Sequence, residues 1–255
     1  MQTEPRPTMI EIRDLVRRYG ALAAVRGVSL DVRGGEVFGL LGPNGAGKST
    51  TLKILATLLR PTSGSVRIGG LDVATQANDV RRIIGYVPEG ADLYEALAGG
   101  EFLELIADLH GLDRDVAASR RTPLLDSFGL SSDIGRPIGD YSKGMKQKLL
   151  ITAALQHDPR VLLLDEPLDG LDVASQEVLK GVIRRFAVEG RAVIYSSHIL
   201  EVVERVCDRV GILVAGRIAA LGSPADLLDA NPGKTLVEIF LQITGSRPTE
   251  SAWNG

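Results

Sequence analysis

The chain has 255 residues, of which 44% are hydrophobic and 24% charged, and its 29 Lys and Arg against 32 Asp and Glu leave a net charge of −3. This is the balance of a globular chain with a sizeable core, longer than one small domain and short of two full ones, and its slightly acidic charge advertises no nucleic-acid surface. A lone cysteine, Cys207, and no apolar run near the ~18–20 residues of a membrane helix exclude disulfide-scaffold, integral-membrane and collagenous classes.

Residues 1–8 are expected to form a flexible tail, and Glu4 and Pro5 fall where a secretory leader would be basic and then apolar. Ile10 and Ile12 alternate with charges, and Val28, Leu30 and Val32 alternate again before Gly34 and Gly35, which predicts two strands. An apolar strand at 36–41 runs into the glycine-rich 42–47. Leu52, Leu55, Leu58 and Leu59 then recur at helical spacing, predicting a helix that Pro61 stops. A turn at 62–64 leads to a strand at 65–68. From about 90 to 137 the pattern becomes helical, as in Phe102, Leu105, Ile106 and Leu109 with Gly111 as terminator, and reads as an insert. Alternation then resumes with a helix at 145–157, a strand at 161–164, a helix at 176–186, a strand at 192–195 and a helix at 200–207. Strands at 210–214 and 217–221 flank Ala215 and Gly216 as a hairpin. Strands alternating with helices predict a mostly parallel sheet covered on both faces.

Two segments carry chemistry. Gly42, Pro43, Asn44, Gly45, Ala46, Gly47, Lys48 and Ser49 fill G-x-x-x-x-G-K-[ST], with a strand entering and a helix leaving. Glycines let the backbone wrap phosphate oxygens with N–H donors, and the helix start adds its positive dipole end. Lys48 would neutralise the outer phosphates and Ser49 would ligate Mg²⁺. The second segment is the apolar run 161–164 ending in Asp165 and Glu166, a buried strand delivering two carboxylates to the sheet edge where such folds bind ligands. Asp165 suits the Mg²⁺ shell, and Glu166 can orient or deprotonate the attacking water.

With these motifs in place, the chain resembles the nucleotide-binding subunit of ATP-binding cassette (ABC) proteins over nearly its whole length. Tyr141, Ser142, Lys143, Gly144 and Met145 stand where that family carries its Leu-Ser-Gly-Gly-Gln signature. The run from Leu168 to Asp172 resembles its D-loop, His198 its switch histidine, and Tyr19 the aromatic that stacks on adenine. Residues 85–89 match the loop joining core and insert. The resemblance implies an α/β fold: a P-loop NTPase core with a mostly parallel sheet, an antiparallel β subdomain and a helical insert at about 90–140. It implies a cassette over 9–222 and a C-terminal extension over 223–255.

The resemblance further implies a site holding ATP and Mg²⁺ through Tyr19, the loop Gly42 to Ser49, Thr50, Glu89, Asp165, Glu166 and His198. Ser49, Asp165 and Glu89 would face the metal; Lys48, Glu166 and His198 would serve catalysis. Ser142, Lys143, Gly144 and Asp172 would act on ATP held by a second copy or a homologous subunit. Two departures from the pattern matter: the signature, where Lys143 and Met145 replace its first glycine and its last glutamine, and position 89. Lys143 replaces a glycine and places positive charge at a helix start. Glu89 replaces the usual glutamine and is a harder Mg²⁺ ligand but a poorer donor. These departures and the 236–245 segment resemble the exporter branch, which implies separate membrane subunits and a cytoplasmic, membrane-peripheral location.

Simpler roles stand beside these. Tyr19 can be a strand-end aromatic, His198 a capping histidine and Asp172 a turn acid. His110 and His157 read as structural, Cys207 as core, and Arg81, Arg82, Arg184 and Arg185 as solvated. Two other function classes share the phosphate loop: a soluble ABC-type ATPase acting on DNA or ribosomes, which usually carries tandem cassettes or coiled coils, and a metabolite kinase, which would need an acceptor site.

Overall fold

The computed structural model describes residues 6–90, 93–197 and 200–245. Two long strands, β1 (Thr8–Tyr19) and β2 (Leu22–Arg33), form a hairpin whose register follows from their apolar alternation. Ile10 pairs with Val32, Ile12 with Leu30 and Leu15 with Val28, so one face is apolar and buried throughout. After β3 (Val37–Leu41) and α1 (Lys48–Leu55), the chain returns with β4 (Ser63–Ile68) and the short β5 (Leu71–Asp72). These complete an antiparallel sheet in the order β2-β1-β4-β5.

A second sheet takes β6 (Ile84–Val87), β7 (Val161–Asp165), β8 (Ala192–Ser197), β9 (Arg209–Val214) and β10 (Arg217–Gly222) alongside β3, in the order β10-β9-β3-β8-β7-β6. Its pairings are parallel except for the β9–β10 hairpin. Every residue of β3, β7 and β8 is buried, as the continuous apolar text of doubly covered strands requires. One face packs against α1 and the antiparallel sheet through Phe38, Leu40, Leu52, Leu163 and Ile194. The other packs against α6 (Val173–Val188) and α7 (Leu200–Val206) through Leu41, Leu164, Leu179, Ile183 and Val203. Cys207 is buried there, and burial pushes its thiol well above the ordinary range.

The insert consists of α3 (Gly99–Leu109) and α4 (Arg114–Ser127), which close on α5 (Lys143–Leu155) through Phe102, Leu103, Leu125, Leu130 and Leu149. At the C-terminus α8 (Pro224–Asp229) and α9 (Leu236–Thr244) follow β10, and Leu227, Leu236 and Phe240 join the cluster beneath α6 and α7. Of the tail, Arg6 donates to the Gly35 carbonyl at 2.8 Å and the Pro7 carbonyl accepts from Gly34 at 2.8 Å.

Three local features differ from the pattern reading. The first helix ends at Leu55 because Thr57 turns left-handed at φ 60°, which leaves Leu58 exposed. The strand β6 is only four residues long with Gly85 inside it, and so gives no alternation to read. Before it lies α2 (Ala77–Ile83), which buries one side chain, Val80, and thus has no apolar periodicity.

Candidate active site

The glycine-rich loop leaves the C-terminal end of β3 and feeds directly into α1. Gly47 is the N-cap at φ 108°, and a Cβ there would stand 2.5 Å from the Ala24 carbonyl oxygen, so only glycine fits. The first turn of α1 carries no acidic residue, which keeps its exposed N–H groups suited to an anion. Lys48 is 7% exposed and donates from Nζ to the Gly42 carbonyl at 2.7 Å, closing the loop on itself. Its ammonium lies 3.9 Å from Glu166 Oε1.

The strand β7 ends in Asp165, which is 1% exposed. Burial pushes its carboxyl above the usual carboxylate range; the Ser49 hydroxyl opposes this, and the Glu89 and Glu166 carboxylates add to it. Asp165 Oδ1 is buried with no hydrogen-bond partner. A buried carboxylate oxygen without a donor, next to a serine hydroxyl, fits a divalent cation. Among the described residues no group of three or more His, Cys, Asp or Glu is placed to hold a metal ion. Glu166 follows at φ 47°, a left-handed conformation for a residue with a Cβ, and its N–H donates to the Ser196 carbonyl at 3.1 Å.

Tyr19, Leu22, the loop from Pro43 to Thr50, Glu89 and Glu166 line one groove of about 490 Å³. Tyr19 is 43% exposed there, with the Arg17 guanidinium 4.6 Å from its ring centroid. Arg17 was not singled out by sequence, though strand alternation puts residues 17 and 19 on one side. Ser142, Lys143, Gly144 and Asp172 do not line this groove. Ser142 caps α5 by accepting from the Met145 N–H at 3.2 Å. Lys143 borders a separate cavity of about 290 Å³ that Glu89 and Glu166 also line. Asp172 caps α6 through the Ser175 N–H at 2.8 Å and accepts from Lys148 at 2.9 Å, contacts that hold its carboxyl well below the ordinary range. His198 lies outside the described residues. His110 and His157 stack with centroids 3.8 Å apart, away from the groove, and His157 Nε2 contacts the Ile84 carbonyl at 2.8 Å.

A phosphate loop, a buried aspartate behind it and a glutamate over its lysine make this a P-loop ATPase. The ABC transporter family matches residues 25–169, more than half of the chain, and the chain belongs to that family. It is 36% identical over 231 residues to the Nod factor export ATP-binding protein I of Burkholderia orbicola (strain AU 1054), covering 91% of this chain and 76% of that one. A solved structure of the ATP-binding subunit of an ABC transporter superposes with a TM-score of 0.88 at 36% identity, over 93% of this chain and 100% of that one. A dimeric bacterial ABC transporter cassette superposes with a TM-score of 0.77 at 25% identity, over 84% of this chain and 98% of that one. The chain is thus an ATP-binding and ATP-hydrolysing subunit, of a family whose ATP-binding proteins work with membrane subunits.

Proposed function

We propose that two copies of this chain, or one copy and a homologous subunit, close head to tail on ATP and power export through separate membrane subunits. The observation that carries this reading is the separation of two phosphate-directed elements within one chain: the groove from Pro43 to Thr50 holds neither Ser142 nor Gly144. A second chain would bring them to the γ-phosphate. The dimeric cassette of the same fold supports the arrangement, and the export role in the Burkholderia relative's name supports the direction. Among the described residues no helix is long and apolar enough to cross a membrane. The transport path would lie in the membrane subunits with which ATP-binding proteins of this family work, with this chain at their cytoplasmic face.

In each site the loop N–H groups and Lys48 would hold the β- and γ-phosphates and Tyr19 the adenine. Ser49 and Asp165, with Glu89 near them, would hold Mg²⁺, which supplies charge neutralisation across the phosphates. Glu166 would orient the attacking water and take its proton, with His198 beside the γ-phosphate. Positioning and electrostatics do the remaining work. The test is Glu166→Gln. The variant should retain ATP binding, lose about 10²–10⁴-fold in turnover, sediment as a dimer with ATP, and retrieve a polytopic membrane protein from solubilised membranes of the source cell. Wild-type turnover would overturn the role of Glu166, and capture of soluble partners alone would overturn the transport role.

A further inference from the structure

The first turn of α5 and the loop after Glu166 form one contact. The backbones meet where a Cβ at Gly144 would stand 2.5 Å from the Gly170 carbonyl oxygen. Deeper in, the buried Gln147 donates from Nε2 to the Pro167 carbonyl at 3.1 Å. Lys148, 14% exposed, donates to Asp172, which also caps α6. Lys143 is different. Its stem runs along Gly170, where a Cβ would lie 3.0 Å from its Cγ, and its Nζ donates to Asp169 Oδ2 at 2.6 Å. Both side chains are more than half exposed, at 67% and 54%. A pair so open to water is weak and readily exchanged, whereas the Gly144, Gln147 and Lys148 contacts are shielded or doubly used.

We infer that Asp169 is a positioning residue: it parks the Lys143 ammonium on its own chain and so raises the ATP concentration at which two copies close. This rests on the head-to-tail reading, in which Lys143 reaches a triphosphate held by the other chain. A lysine is a mobile point charge, and a triphosphate carries more charge than one carboxylate, so the ammonium exchanges Asp169 for phosphate as the dimer forms. The carboxylate is a competitor that ATP must outbid.

The experiment follows dimer fraction against ATP by light scattering in the Glu166→Gln background. Asp169→Asn should lower the half-saturating ATP concentration about 2–5-fold, the range set by an exposed ion pair. Asp169→Glu should restore the parent value. Lys143→Met should raise it, and Asp169→Asn added to Lys143→Met should change nothing further. Turnover at saturating ATP, measured with Glu166 intact, should stay within 2-fold for Asp169→Asn, as a shift confined to closure predicts. An unchanged or raised half-saturation in Asp169→Asn, or the same shift in the Lys143→Met background, overturns the inference alone. A parent that stays monomeric at saturating ATP overturns the head-to-tail reading, and this inference with it.

Discussion

The Lys48 ammonium and the Glu166 carboxylate face each other at 3.9 Å, the lysine side chain 7% and the glutamate 10% exposed. The residue that would hold phosphate and the one that would activate water thus share one desolvated space, where charge is felt strongly.

Removing the cation while keeping its bulk isolates its part in binding. Lys48→Met should weaken ATP binding about 10–100-fold, as expected for losing a charge-assisted contact of about 1.5–3 kcal/mol. Calorimetric titration with ATP reads this directly, and affinity within 3-fold of the parent would contradict the role.

The left-handed backbone at Glu166 separates stability from function. Glycine adopts φ 47° without strain and alanine does not. Glu166→Gly should be more stable than Glu166→Ala by about 1 kcal/mol, although both should be inactive. Denaturant midpoints of the two variants test it, because each removes the same side-chain contacts.

Asp165 makes stability depend on pH with a definite sign. Its folded carboxyl is held above the unfolded value of about 3.9. The native state therefore binds the proton more tightly, and its stability falls as pH rises from near 3.9 through the folded pKa. Asp165→Asn should melt higher than the parent at pH 7 without ligand, yet gain less from Mg²⁺ and ATP. Paired melts with and without MgATP decide it; a lower ligand-free melting point would count against the buried orphan oxygen.

His157 works in the opposite direction. Burial, then its His110 neighbour and Arg120, push it down to about 4 against the raising effects of the Ile84 carbonyl and Asp158. An unfolded histidine protonates near 6.5, so stability is full above that pH and falls as pH drops toward 4, by at most about 3 kcal/mol. His157→Gln should flatten this loss, seen as a smaller difference between melting points at pH 7 and pH 5. Equal differences would show that another group carries the acid sensitivity.

The parts of this molecule written in local pattern were readable from sequence. The β1–β2 hairpin, the buried strands β3, β7 and β8 and the phosphate loop each carry their own period or spacing. What escaped depends on tertiary contact. The edge strand β6 is held by pairing with β7 alone, and α2 buries a single valine. The Lys143–Asp169 pair spans 26 residues and exists because the first turn of α5 touches the loop after Glu166 at Gly144 and Gly170. Glu89 reads as one motif position, whereas it lines two separate cavities.

The guanidinium of Arg17 over the Tyr19 ring has one more consequence. The ring is already one layer of a stack, and a flat ligand laid on it meets a π-face, which every purine offers alike. Leu22 and Ala24 line the same groove and carry no side-chain donor or acceptor. On the proposed reading, stacking would hold the base while the loop N–H groups and Lys48 would hold the phosphates. GTP should therefore drive this subunit within a few-fold of ATP, and the choice of fuel passes from the protein to the nucleotide pool around it.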